Sequence, residues 1–408
     1  MNTTDRTDLA APALASGSEQ THLRAGFIPL VDAAVLIAAA ELGFAAREGL
    51  TLDLVRDVSW ANIRDRLAYR QFDVAHMLSP MPIAALLGLG SNPAPTVAPF
   101  VLGRGGNAIT VSVRLFETMQ ALTGLADTAS ALDCAKALAT VIAARRRDGD
   151  RPLTLGMTYP YSSHNYELRY WLAAGGIDPD RDVKLAVVPP PMTSDALAAG
   201  AIDGFCVGAP WNMIASEKGV GRIVATKQDI WASSPEKVVG MRPDWADRNR
   251  DSVLRLITAL DASARWCDDP ANHGALAALL AQGAYLAAPV EIIRHVLAGK
   301  FALDAKGNAR VVPDYFVFHR QRANCPSSEQ ALWVYSQMVR WGQVTYSAEG
   351  AATAASAFRS DLYASALGQA PAADSAPQAA DVFIDGRPFD PENLEAYIRG
   401  FDAPPPSV

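Results

Sequence analysis

"DVAHMLSPMP" (73–82) and "DGFCVGAPWN" (203–212) are the stretches whose reading decides the fold. Each opens on an acid, runs through a short apolar strand, meets a proline and then starts a helix. Apolar runs of this length, bounded by turn residues, suit strands buried on both faces of a sheet. Their recurrence points to two lobes built to one plan.

Outward from these stretches, strand and helix patterns alternate. "HLRAGFIPL" (22–30) reads as a strand, and "VDAAVLIAAAELGFAAREG" (31–49) as a helix ending at Gly43 or Gly49. "LTLDLVRD" (50–57) is a strand and "WANIRDRLAYRQ" (60–71) a helix. "TVAPFVLG" (96–103) and "AITVSVRLF" (108–116) read as further strands. The order then restarts with a helix at 131–149, a strand at 152–157, a helix at 164–176, and strands at 183–189 and 202–208. This predicts an α/β protein of two lobes, each a mostly parallel sheet flanked by helices. Lobe 1 takes residues 21–106 and 230–364, and lobe 2 takes 107–229. Residues 1–20 read as a disordered lead and 365–380, rich in Ala, Pro and Ser, as a linker. Residues 381–408 form a docking segment with a short helix from Pro391. In such a clamshell, ligands bind beyond the strand C-termini, where helix N-termini converge.

Composition excludes several functions. The net charge is −7, and the only basic run, Arg145–Arg147, is followed by Asp148 and Asp150. Direct nucleic-acid binding needs a basic stripe, and none is present. Cys134, Cys206, Cys267 and Cys325 form no CxxC pair, so no metal site is expected. The most apolar stretch, "ALAALLAQGAYLAAPV" (275–290), is interrupted by Gly283 and Pro289, so no membrane span is expected. The lead carries Asp5 and Asp8 where a secretory signal needs basic residues, and Pro12 breaks its apolar run, which points to the cytoplasm. GxxxxGK[ST], HExxH and GxSxG are absent, and "GRGGN" (103–107) does not match a dinucleotide loop. A binding protein without cofactor is expected rather than an enzyme.

Three segments and one lysine carry the candidate chemistry. Ser59 is placed to cap a helix that starts at Trp60. Asn107 offers a donor and an acceptor at a crossover. If Ser163 caps the next helix, His164 is its first residue, on one face with Leu168, Trp171 and Leu172. Lys237 leads into the apolar "VVGM". Each has a plain packing reading: core histidine, buried indole, loop amide, surface cation. Together they read as a small-anion site, because helix N-termini present free N–H groups and a favourable dipole. Asn62, Gly106, Cys206 and Gly208 are secondary candidates.

These residues lie in motifs that resemble a known family. "SWANIRD" (59–65), "RYWLAAGGIDP" (169–179) and "PEKVVG" (235–240) are similar to the nitrate- and bicarbonate-binding proteins of ABC transporters, and more closely to their cytoplasmic nitrate/nitrite-sensor branch of the NasS type. The resemblance implies the two-lobed periplasmic-binding-protein (type II) clamshell. It carries the anion-holding tryptophan, amide, histidine and lysine onto Trp60, Asn107, His164 and Lys237. The amide is often glutamine in the transporter members, and Asn107 is one methylene shorter. The bicarbonate branch uses acidic residues near a metal, and no acidic cluster is visible beside these motifs, which disfavours bicarbonate. The sensor branch implies a partner: a response-regulator-like, RNA-binding antiterminator of the NasT type, held when ligand is absent and released when nitrate or nitrite binds. Two alternatives stay open: an exported transport protein and an enzyme like the thiamine-pyrimidine synthases of the same superfamily.

Overall fold

A computed structural model describes residues 20–231, 234–368 and 383–401. The expected lead, nearly all of it, and most of the expected linker lie outside the described residues.

The first ten strands are β1 (Thr21–Phe27), β2 (Leu50–Arg56), β3 (Val74–Leu78), β4 (Val97–Gly105), β5 (Asn107–Ser112), β6 (Leu153–Met157), β7 (Val183–Val187), β8 (Gly204–Gly208), β9 (Gly221–Thr226) and β10 (Pro235–Met241). Three short ones follow: β11 (Lys300–Ala302), β12 (Ala309–Val311) and β13 (Phe316–Val317). One sheet runs β13-β4-β10-β3-β1-β2, the other β7-β6-β8-β5-β9, and β11-β12 pair separately. Without β13 the two large sheets share one plan. β3 and β8, the two opening stretches, hold equivalent central places and are buried throughout.

Both sheets are mixed. β1 pairs parallel with β2 and β3, and β6 with β7 and β8. β10 and β5 run antiparallel to their neighbours. β4 and β9 therefore run the same way as the three parallel strands of their sheets, so the expectation of mostly parallel sheets holds for strand direction and β10 and β5 break the parallel pairing. The reason lies in the crossovers. β10 and β5 arrive from the opposite lobe and begin at the cleft, where the parallel strands end, so Lys237 pairs with Leu78 and Asn107 with Gly208.

The chain crosses between lobes at Gly105–Gly106 and again between Ile230 and Pro235. Gly105 and Gly106 have φ of +83° and +92°, and a side chain there would strike the Tyr315 carbonyl and the Phe316 ring. Glycine is what this close backbone approach allows.

Several element ends differ from expectation. "VRLF" belongs to a helix, Val113–Thr123, because Ser112 caps it by accepting the Leu115 N–H at 3.2 Å. The helix at Trp60–Ala68 starts where predicted, but the Ser59 side chain makes no cap bond. Asp57 accepts the Val58 and Ser59 N–H groups instead. The C-terminal helix is Leu394–Arg399 rather than starting at Pro391, because Asp390 holds Glu392 and Asn393 in a turn. The helix Ser360–Leu367 takes the first residues expected in the linker. Most later helices pack on the first lobe, for example Arg250–Asp268 against Ala34–Glu41. No helix among the described residues is long and apolar enough to cross a membrane.

Candidate functional site

β3, β8, β5 and β10 all meet the cleft at their ends, so their terminal side chains face one another between the lobes. The helix Ser163–Ala174 points its N-terminus at the same place. Ser162, not Ser163, is its cap: the Ser162 hydroxyl accepts the Asn165 N–H at 3.0 Å. Ser163 becomes the first helical residue, and its hydroxyl donates to Glu236 Oε1 at 2.8 Å.

The four leading candidates converge. Trp60, Asn107, His164 and Lys237 are 0–1% exposed. Lys237 Nζ lies 5.6 Å from the Trp60 ring centre, within cation–π range. His164 Nε2 lies 3.6 Å from Glu236 Oε1, and Asn107 Nδ2 donates to Glu236 Oε2 at 2.7 Å.

The secondary candidates divide. Gly208 faces the cleft, since a side chain there would meet Asp32 and Asn107. Cys206 is buried one alternation away on β8, and burial first, then Glu167 and Glu236, push its thiol well up. Asn62 does not join: it is exposed and its amide donates to Asp57 at 3.1 Å. Gly106 does not join either. Its N–H donates to the Tyr315 carbonyl and its own carbonyl accepts from the Tyr315 hydroxyl and the Ala209 N–H.

Five charged or titratable groups at the site are absent from the sequence reading: Asp32, His76, Glu167, Lys227 and Glu236. Lys237 pairs with Asp32 at 2.7 Å and with Glu236 at 2.5 Å. Lys227 pairs with Glu167 at 2.8 Å and also with Glu236. The expected absence of an acidic cluster is thus overturned, and with it the argument drawn from that absence against bicarbonate, because Asp32, Glu167 and Glu236, far apart in sequence, are folded together. Asn107 also differs from its expected part. Both carboxylate neighbours, Glu167 at 2.9 Å and Glu236 at 2.7 Å, take its amide hydrogens. Only the sequence adjacency of Glu236 to Lys237, and the i, i+3 spacing of Glu167 from His164, could have signalled this.

Protonation follows from burial and neighbours. Burial holds His164 down at about 3, with Lys237 adding to the effect, so its imidazole is neutral. Burial likewise lowers His76, although Asp32 opposes it. The Ile28 N–H donates to His76 Nδ1 at 3.3 Å, so Nε2 carries the hydrogen that faces Asp32 Oδ1 at 2.9 Å. Burial would raise Glu236 and Asp32, but the lysines outweigh it and hold both below the ordinary carboxylate range. Glu167 is raised to about 7 by burial, which Lys227 only partly offsets.

Two buried donors remain for a ligand. Trp60 Nε1 and His164 Nε2 have no hydrogen-bond partner among the described residues. Thr158 Oγ1 is 2.9 Å from His164 Nδ1. When that hydroxyl donates, Nε2 carries the hydrogen, with Glu236 Oε1 3.6 Å away and beyond hydrogen-bond reach. A buried N–H without a partner costs about 1–3 kcal/mol, which a bound acceptor recovers. Among the described residues no group of His, Cys, Asp and Glu is placed to hold a metal.

Comparison with known proteins places the family and the fold. The model of the NMT1-like family matches residues 16–281. The nitrate/nitrite binding protein NrtA of Synechococcus elongatus is 34% identical over 419 aligned positions, which cover 98% of this chain and 91% of that protein. The nitrate import ATP-binding protein NrtC of Synechocystis is 36% identical over 389 positions, covering 95% of this chain but 56% of that protein. The chain thus spans about half the length of the ATP-binding relatives it matches. The crystal structure of the periplasmic nitrate-binding protein NrtA from Synechocystis superposes with a TM-score of 0.83 at 29% identity, over 94% of this chain and 99% of that one. The fold is therefore the two-lobed periplasmic-binding-protein clamshell. NrtA is named a binding protein, in keeping with the expectation of a binding protein rather than an enzyme.

Proposed function

The chain belongs to the NMT1-like family, and on that premise we propose that it binds nitrate or nitrite between its lobes. The observation that carries this is the pair of unpartnered buried donors, Trp60 Nε1 and His164 Nε2, beside the ammonium of Lys237. Nitrate accepts hydrogen bonds and donates none, so it suits N–H donors and a cation. The helix N-terminus at Ser163–His164 adds its dipole. Relatives named for nitrate and nitrite support the choice of anion.

Within this reading the chain is a cytoplasmic sensor. Ligand-free protein sequesters an RNA-binding antiterminator of the NasT type, and anion binding closes the lobes and releases it to act on nitrate-assimilation genes. The motif resemblance to the sensor branch supports this. The physical requirement is a ligand that binds the closed arrangement more tightly than the open one. Copurification from cells grown with and without nitrate tests it: a partner retained only without nitrate is expected, and no nitrate-sensitive partner defeats the sensor role. A second reading, the binding component of a nitrate importer, is favoured by the names of the transporter relatives. Recovery of the chain from the periplasm would select it.

A further inference from the structure

Glu167 has no assigned part in holding an anion, yet it is fully buried one helical turn from His164. Its Oε1 meets Lys227 at 2.8 Å and its Oε2 accepts from Asn107 at 2.9 Å. Glu236 takes the same two donors: Lys227, and Asn107 at 2.7 Å. Two carboxylates that share one ammonium and one amide compete for them. Glu236 has more, because Lys237 and the Ser163 hydroxyl also face it at 2.5 and 2.8 Å. Glu167 is the carboxylate left short of donors.

The charge balance makes this consequential. Lys227 and Lys237 are offset by Asp32 and Glu236. His164 and His76 are neutral, since burial lowers both. From β8 and from the segment before β13, Cys206 and Tyr315 face the cluster, and burial pushes the thiol and the phenol well up, so both are uncharged. The cluster is neutral when Glu167 is protonated and carries one negative charge when it is not. An anion entering this low-dielectric site meets repulsion from an ionised Glu167 and little from a protonated one.

We propose that the anion enters together with one proton, taken up from solvent by the Glu167 carboxylate, so that Glu167 sets the pH dependence of binding. This rests on the anion-binding reading of the cleft. No bond other than the O–H of the carboxylic acid forms. The protonated carboxyl keeps an acceptor for Asn107 and no longer competes for Lys227. The raised position of Glu167, about 7, lies where such uptake is visible near neutrality. The sign follows from linkage. Below about pH 7 the proton is already present and affinity is level. Above it the proton must be acquired with the ligand, and affinity falls by up to about tenfold per pH unit.

Calorimetric titration of the full chain with nitrate near pH 8, in phosphate and in Tris, counts protons from the difference in buffer ionisation heat. Uptake approaching one proton per nitrate is expected, with near-zero uptake in Glu167→Gln. Nitrate binding without proton uptake, or uptake that persists in Glu167→Gln, overturns the proposal and leaves the nitrate-binding reading standing. Absence of any nitrate heat in the native chain overturns both. Should Glu167→Gln fail to fold, the native chain decides alone: a dissociation constant that is level from about pH 6 to 7 and rises up to tenfold per unit above is expected, and one level to about pH 9 contradicts it.

Discussion

The lobes are joined by two very different regions that share one helix. At the N-terminus of Ser163–Ala174, Ser163, His164 and Glu167 enter the charged cleft cluster. Further along, Tyr170 enters an aromatic cluster that holds the C-terminal segment. There Phe383 stacks on Trp333 at 5.2 Å and 2°, and lies 5.3 Å from Tyr170 and 5.4 Å from Trp231. Tyr170 donates to Asp385 at 2.9 Å, and the Ile384 N–H donates to the Ile230 carbonyl beside the second crossover. Trp333 belongs to Ser328–Arg340 of the first lobe, so the C-terminal segment touches both lobes and the hinge between them. The aromatic cluster gains from apolar area, which is non-directional and tolerant of small shifts. The charged cluster gains only while each charge keeps its partner. One region is a fastening and the other a poised balance.

Substitutions can break this contrast. The largest effect is expected for Lys237→Ala, which strips Asp32 and Glu236 of a shared partner in a fully buried site. Losing one member of a buried ion cluster costs about 3–5 kcal/mol, read as a lowered urea midpoint, and nitrate binding should vanish. Phe383→Ala removes a stacked core ring and should cost about 3 kcal/mol by the same measurement, while nitrate still binds. If Phe383→Ala abolished nitrate binding as well, the two regions would be one energetic unit. Trp60→Phe keeps an aromatic ring, smaller than the indole, and deletes the N–H, and should weaken nitrate about tenfold, the value of one hydrogen bond of about 1.4 kcal/mol. Unchanged affinity would show that the indole N–H does not reach the anion.

The smallest effect concerns stability against pH. Glu167 is raised from 4.5 to about 7, so the native chain holds a proton there that the unfolded chain releases. Its contribution is present below about pH 4.5 and is lost as pH rises through about 7. Glu167→Gln should therefore raise Tm modestly near pH 8 and leave it nearly unchanged near pH 4. An equal shift at both values would deny the carboxylate its raised position.

The same contrast explains what the sequence made legible. β3 and β8 could be read because a buried strand announces itself by apolar runs and turn residues, a local signal. Their equivalent places in two sheets followed. Trp60 and His164 could be singled out because each stands at a helix start, and Lys237 because it leads into an apolar run. The antiparallel entry of β5 and β10 was not legible, since strand direction depends on which lobe the chain has just left. Nor were Asp32, Glu167 and Lys227 as site residues. Their importance is a matter of charge neighbours brought together by the fold, and Asp32 alone looks like an ordinary helix-start acid. Ser162 displaced Ser163 as the cap because two adjacent serines satisfy the same preference, and Glu236 claims the second.

The central claim is that the buried cluster between the lobes holds one small anion through Trp60, His164 and Lys237. Titrating the native chain and His164→Ala with nitrate and nitrite in a calorimeter near pH 6.5 tests it most directly. One anion per native chain, with binding lost or weakened at least about tenfold in His164→Ala, is the result predicted. No binding by the native chain at millimolar anion, or equal binding by the variant, would contradict it.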